Sequence, residues 1–241
     1  PRSRTTKDVD LAARGAADLE EAERQLSALV AVDLDDHLTF RLTRSLPTGA
    51  GENQPGLATR RFIYACLDVG VDVVVGPAPI GTPEYVEPAN RLQLKRQLIT
   101  HPYRLFPVVD QIADKVCATM STDYPGGRRS SRVKDLVDLV VLAQTQSVDL
   151  SELRVAIATK QALSGMDPFA AFTIPDTWHR TYPNTAKGVP SAQTYTAAEA
   201  ANLVAQFVGP ALATAGDSAI WDPEQLAWSA TPSVPKAYPA H

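Results

Sequence analysis

The sequence predicts an α+β fold: a mixed sheet with packed helices first, then a mainly helical section. Three observations carry this prediction. Short runs with period-two or β-branched patterning, at 7–13, 36–44 and 61–69, all lie in the first third of the chain. Apolar residues at helical spacing dominate from 108 to 163 and return at 197–208. Strands followed by helices, rather than alternating with them, is the order of an α+β chain. The 241 residues at roughly 150 per domain give one to two domains. We place 1–105 in the α/β core and 106–241 in the helical section, which ends in a proline-rich tail.

In chain order, Val9 and Leu11 alternate against Asp8 and Asp10, which predicts a strand over 7–13. Asp18 followed by Glu21 has the spacing of a capping box, and Leu19, Ala22, Leu26, Leu29 and Val30 follow at helical spacing, so a helix is expected over 18–32. Leu38, Phe40 and Leu42 alternate with His37, Thr39 and Arg41, a half-buried strand over 36–44. Residues 47–56 read as a loop by composition. Phe62, Ile63, Tyr64 and Val69 predict one strand over 61–69 that ends at Gly70, with 71–75 as a possible continuation. Pro77, Pro79, Pro83 and Pro88 then exclude helix and predict an extended connection. Three helices follow, over 108–120, 132–144 and 151–163, the last with Ser151 as its expected N-cap. The residues after 165 hold nine of the 19 prolines, leaving one clear helix, at 197–208, and a tail from Thr231 expected to be either mobile or laid over the surface.

Composition excludes several function classes. Two cysteines, Cys66 and Cys117, are too few for a disulfide framework or a structural zinc site. A net charge of −4 excludes nucleic-acid binding by bulk positive charge. No apolar run reaches the roughly 20 residues of a membrane span, so no membrane partner and a reducing, cytoplasmic setting are expected. The opening residues, without Met or a leader pattern, read as the interior of a domain. His37, His101, His179 and His241 are scattered without ligand spacing, and Trp178, Trp221 and Trp228 are expected to pin the C-terminal segments.

Three groups of residues can carry chemistry. Asp8 and Asp10, one residue apart on a strand, place both carboxylates on one face. At about 4 Å such charges repel by about 4 kcal/mol at an effective dielectric of 20. A hard divalent cation such as Mg²⁺ relieves that repulsion; a solvated edge pair is the plainer reading. Asp68, between Leu67 and Val69, is costly to bury unless paired or metal-bound. It either serves a site or marks the strand's exit to solvent, and Asp72 competes for the same role. Finally, Lys115 flanks the apolar stripe of the 108–120 helix, where it can reach toward the sheet. Asp135 and Asp138 lie three apart on one face of the next helix. Local pairing of these acids with Arg132 and Lys134 on a solvated surface is the alternative there.

Taken in order, four stretches resemble the AbiEii/AbiGii family of nucleotidyltransferase toxins, including the mycobacterial MenT toxins, within the DNA polymerase β-like nucleotidyltransferase superfamily. Arg2-Ser-Arg-Thr-Thr-Lys-Asp-Val-Asp-Leu11 is similar to the family's metal strand. Phe62-Ile-Tyr-Ala-Cys-Leu-Asp-Val-Gly70 is similar to the strand that supplies a third acid. Val109-Asp-Gln-Ile-Ala-Asp-Lys-Val116 resembles the helix bearing the family lysine, and Ser131-Arg-Val-Lys-Asp-Leu-Val-Asp-Leu139 resembles its Arg-x-Lys/Arg-Asp-x-x-Asp-Leu helix. The likeness covers roughly residues 1–145. The family's Gly-Gly or Gly-Ser helix start, about ten residues before the first Asp, would precede Pro1, so the 241 residues are expected to represent most of a toxin rather than all of one.

The resemblance implies a polymerase β-like core and Mg²⁺-dependent nucleotidyl transfer. Asp8, Asp10 and Asp68 would be the metal ligands, and Asp68 would help to deprotonate the attacking hydroxyl. Lys115 would meet the triphosphate or departing pyrophosphate, with Asp135 or Asp138 orienting Lys115 or the nucleotide. Arg4, Thr6, Lys7, Arg132 and Lys134 would contact substrate. It also implies an NTP donor, the 3′ end of tRNA as acceptor with a consequent block of translation, and an AbiEi-like antitoxin as partner. Arg2, Arg4, Lys7, Arg60, Arg61, Arg91, Lys95, Arg96, Arg128, Arg129 and Arg132 could form a basic, RNA-facing surface. Transfer to a protein or small molecule, or a catalytically inactive NTP- or RNA-binding fragment, are the alternatives.

Overall fold

Period-two patterning in the first third of the chain builds a four-stranded sheet. In the computed structural model the described residues are 8–34, 39–47, 58–65, 69–87, 101–121, 130–213 and 218–230. The chain runs β1 (Asp8–Ala13), α1 (Leu19–Val30), β2 (Arg41–Pro47), β3 (Ala58–Ala65) and β4 (Val69–Val75). The sheet order is β1-β4-β3-β2, with β1 parallel to β4 and the other pairs antiparallel. Helix α1 starts at Asp18, whose carboxylate accepts from the Glu21 N–H at 2.8 Å, and its Ala22 and Leu26 are buried with Phe62, Tyr64, Val71 and Val73 in a small cluster. The Glu21 carboxylate turns instead to Arg24 and Gln25.

Two strand expectations need correction. The run read as a single strand over 61–69 is two antiparallel strands, and Gly70 lies inside β4, paired with Ile63. A continuous β-rich string carries no turn signal that periodicity can detect, since Phe62 to Tyr64 and Val71 to Val75 are equally good strand formers. The strand expected over 36–44 begins, among the described residues, at Arg41 and continues to Pro47. β2 is an edge strand, where a proline at the end breaks no interior ladder. Residues 1–7, the 48–57 loop, Cys66 and Asp68, His37 and the tail from Thr231 lie outside the described residues.

The connection after β4 carries a two-stranded ribbon, β5 (Glu84–Val86) with β6 (Tyr103–Leu105), that the prolines concealed. Then come α2 (Val108–Met120), α3 (Val133–Thr145), β7 (Val148–Asp149), α4 (Leu150–Leu163), α5 (Trp178–Ala186), α6 (Ala197–Leu212), β8 (Ala219–Asp222) and β9 (Ala227–Ala230). Helices α2, α3, α4 and α6 fall within a residue or two of their expected starts. α4 is capped by Asp149, which accepts from the Ser151 and Glu152 N–H groups, and not by Ser151. α5 escaped sequence reasoning because Pro183 sits inside it. The small β7–β8–β9 sheet escaped because its strands are two to four residues long.

The second and larger hydrophobic cluster belongs to these helices. α3 is its centre, packed by α2, α5 and α6, with Leu136, Val137, Leu139, Val140 and Ala143 all buried. The three tryptophans pin the later segments as expected. Trp178 Nε1 donates to Ser130 O, Trp221 Nε1 to Ala143 O, and Trp228 Nε1 to Phe207 O. Trp221 packs between Phe207 and Trp228, at centroid distances of 4.8 and 5.6 Å.

Candidate functional site

Sheet register assembles the first group of charges. The parallel pairing of β1 with β4 sets Asp8 opposite Gly70 and Asp10 opposite Asp72, and the antiparallel pairing of β3 with β4 sets Arg61 opposite Asp72. Neighbouring strands lie about 4.8 Å apart, so Asp10, Asp72 and Arg61 form a row across three strands. Asp72 is held by a two-pronged interaction from Arg61: Nε to Oδ1 at 2.7 Å and Nη2 to Oδ2 at 2.5 Å. That fork is the geometry in which a guanidinium best satisfies a carboxylate.

The preceding residue turns to the other side of the sheet. Arg60 reaches α1, where Glu23 and Glu20 accept from its guanidinium at 3.1 and 3.4 Å. Arg60 and Arg61 therefore sit on opposite faces and cannot share one basic surface, because side chains alternate along a strand. Each is also committed to an acid. The other basic residues expected on an RNA face, apart from Arg132, lie outside the described residues.

A second group of charges is built between α2 and α3. Lys115 Nζ donates to Asp138 Oδ2 at 2.8 Å and lies 3.7 Å from Asp135 Oδ1. Arg132 Nε donates to the other oxygen of Asp135 at 2.5 Å. Asp135 is buried, with its side chain 4% exposed, so its local pair with Arg132 forms but not on the solvated surface of the alternative reading. Its position follows from α3 being central: a helix packed by three others has almost no solvent face left to offer. A carboxylate there is tolerable only with its charge matched, and Lys115 and Arg132 supply two cations. Lys115 is thus turned to the acids of α3, where the sequence suggested a reach toward the sheet. Lys134 remains exposed.

Behind this cluster the start of α3 is fixed by buried polar contacts that sequence reasoning missed. Ser130 is buried; its Oγ accepts from Arg132 N–H at 3.2 Å, and its carbonyl accepts from Trp178 Nε1 at 3.1 Å. Ser130 follows two glycines and two arginines with no periodicity, so no local signal marks it. Asp72 and Arg61 had a detectable signal, an acid and a base eleven residues apart in β-rich sequence, but only the pairing of β3 with β4 shows that they meet.

The donor chemistry can be tested against a divalent cation. Two carboxylates stand in register on adjoining strands, with a guanidinium forked onto Asp72, and their hard oxygens are donors of the kind Mg²⁺ takes. Among the described residues no group of three His, Cys, Asp or Glu is arranged to hold a metal ion. Asp68 lies outside those residues, as do the expected contacts Arg4, Thr6 and Lys7, and Asp8 is described only through its backbone pairing. No described helix is long and apolar enough to cross a membrane.

Comparison with known families gives one result that covers most of the chain. The family model of the nucleotidyl transferase AbiEii toxin, type IV toxin–antitoxin system, matches residues 1–206. Among curated proteins no match is found.

Proposed function

Since this chain belongs to the AbiEii family of nucleotidyltransferase toxins, whose type IV toxin–antitoxin systems pair a toxin with an antitoxin, we propose that it transfers a nucleotide from an NTP to the 3′ end of tRNA and so blocks translation. The observation that carries the site assignment is the in-register pair Asp10 and Asp72, neutralised by Arg61. We assign Asp8, Asp10 and Asp72 as the acids that hold Mg²⁺, with Asp72 in the third-acid role that Asp68 was expected to fill. The register of β1 against β4 supports Asp72 in that role, because it sets Asp72 opposite Asp10. Bound there, Mg²⁺ supplies charge stabilisation to the entering and leaving oxygens of an in-line displacement.

The chain's own residues do the rest of the work. Lys115 presents a compact positive charge to the triphosphate. Asp138 holds its ammonium by direct hydrogen bond, and Asp135 keeps Arg132 beside it. Arg132 and Lys134 then contact substrate at the start of α3. The acids of the sheet orient the acceptor hydroxyl and take its proton. The antitoxin is AbiEi-like, and the setting is the cytoplasm, where tRNA is found.

Labelled NTPs, Mg²⁺ and total tRNA provide the test. Label on the tRNA 3′ end, lost in Asp10→Asn and Asp72→Asn, is the expected result. Label confined to protein or to small metabolites would overturn the tRNA assignment, and full activity of Asp72→Asn beside an inactive Asp68→Asn would return the third-acid role to Asp68.

A further inference from the structure

We propose that Asp110 is a positioning residue that ties the segment following β4 to the first turn of α2, and so fixes Lys115 relative to Asp72. The inference rests on the reading of Lys115 and Asp72 as parts of one active site. It begins from a carboxylate that does not do what its position would ordinarily have it do. Asp110 is the third residue of α2, where an acid usually serves the helix's own free N–H groups. Here its two oxygens leave the helix: Oδ1 accepts from Ile80 N–H and Oδ2 from Gly81 N–H, each at 2.9 Å.

The partner segment is built to receive it. Gly81 is buried, and a Cβ there would stand 2.7 Å from Pro107 Cβ and 2.8 Å from Val109 Cγ2. Only a residue without a side chain lets the backbone come this close. Between β4 and the contact, Pro77 and Pro79 restrict the backbone, so the tether from Asp72 to Gly81 is stiff as well as short. On the other side, Lys115 lies five residues beyond Asp110 on the same helix, a rise of about 7.5 Å.

This contact matters because the two hydrophobic clusters are separate. One is formed by α1 and the sheet, the other by the helices from α2 onward. The Asp110 clamp joins a segment continuous with the first to a helix of the second. It also closes the base of the β5–β6 excursion, whose two ends meet at Gly81 and Pro107.

The test is a double-mutant cycle on nucleotidyl transfer with wild type, Asp110→Asn, Lys115→Ala and the double variant. Asparagine keeps the shape, but its NH₂ faces one of the two N–H donors. In the Lys115 background Asp110→Asn should lower kcat on the order of tenfold to a hundredfold, with a smaller change in the KM for NTP. Without Lys115 the same change should cost less than about threefold, since there is no ammonium left to misplace. Asp110→Glu, which keeps a carboxylate, should recover part of kcat. Hydrogen exchange should quicken at the Ile80 and Gly81 amides and stay slow in α3, and Gly81→Ala, approaching the contact from its other side, should repeat both patterns. Equal losses in both backgrounds, or unchanged exchange at Ile80 and Gly81, would overturn the positioning role. A wild-type chain inactive on every acceptor would instead overturn the proposed function.

Discussion

At the scale of the residue, burial decides what each charge is worth. Asp135 and Lys134 are adjacent, yet one is buried between two cations and the other is exposed. Asp135→Ala removes the acid to which Arg132 donates, while Lys115 keeps Asp138, and should cost about 2 kcal/mol, the scale of a hydrogen bond to a charged group. Lys134→Ala should stay within about 0.5 kcal/mol. Urea unfolding of the two variants checks this, and equal midpoints would show that Asp135 is solvated after all. Cys117 offers a second test. Burial pushes its thiol from 9.0 up to about 12, and burial also pushes the Tyr182 hydroxyl from 10.0 up to about 12. Both groups keep their proton in the folded chain after the unfolded chain has lost it, so their contribution is complete below pH 9 and declines as pH rises toward 12. Alkaline unfolding should therefore set in above pH 9. Peptide-mapped alkylation at pH 8 should spare Cys117 until denaturant is added, because the thiolate is the reactive form. Native labelling of Cys117 would contradict its burial.

At the scale of the element, legibility followed the physics of each signal. Helices α2, α3, α4 and α6 could be read because a buried stripe repeats locally, within one turn or two of itself. The β3–β4 hairpin could not, since nothing in Phe62 to Val75 says where the strand reverses; only its partners do. For the same reason the sequence named Asp72 as a rival but took Asp68, by resemblance, as the third acid; Asp68 lies outside the described residues, whereas Asp72 stands opposite Asp10. The resemblance offered Asp135 or Asp138 as the acid that orients Lys115, but the choice depends on how α2 crosses α3, which no spacing within either helix encodes; Asp138 takes the hydrogen bond. Caps are legible in type but not in position: Asp149 and Ser151 are both good candidates, and the structure uses Asp149. Asp149→Ala should destabilise the chain by about 1 kcal/mol. Ser151→Ala should be nearly silent, since Ser151 contributes its backbone N–H and not its hydroxyl to this cap. Thermal melts of the pair distinguish the two, and a larger loss for Ser151→Ala would reverse the assignment.

At the scale of the whole molecule, the two hydrophobic clusters are unequal. Among the described residues the sheet and α1 share six buried residues, whereas the helical cluster extends from Val109 through Trp221, with Phe207 tilted against Trp221 and Trp228 set edge-on to it. Both edge strands of the sheet are largely exposed, with Val9 and Leu11 only partly covered. A region with so few buried contacts opens at lower free energy than the core of the molecule. Hydrogen exchange should therefore be faster in β1–β4 than in α3 and α6, and mild denaturant should loosen the sheet while the helices hold. The proposed site straddles the two, with its acids on the weaker part and Lys115 on the stronger. Ligand that bridges them should stabilise mainly the weaker part, by an amount that grows with ligand concentration over its Kd. Adding Mg²⁺ and NTP should slow exchange in β1 and β4 while leaving α6 unchanged, and Asp10→Asn should abolish the effect. Protection that rises uniformly along the chain, or that survives in Asp10→Asn, would mean that the nucleotide binds somewhere other than between the sheet acids and α2.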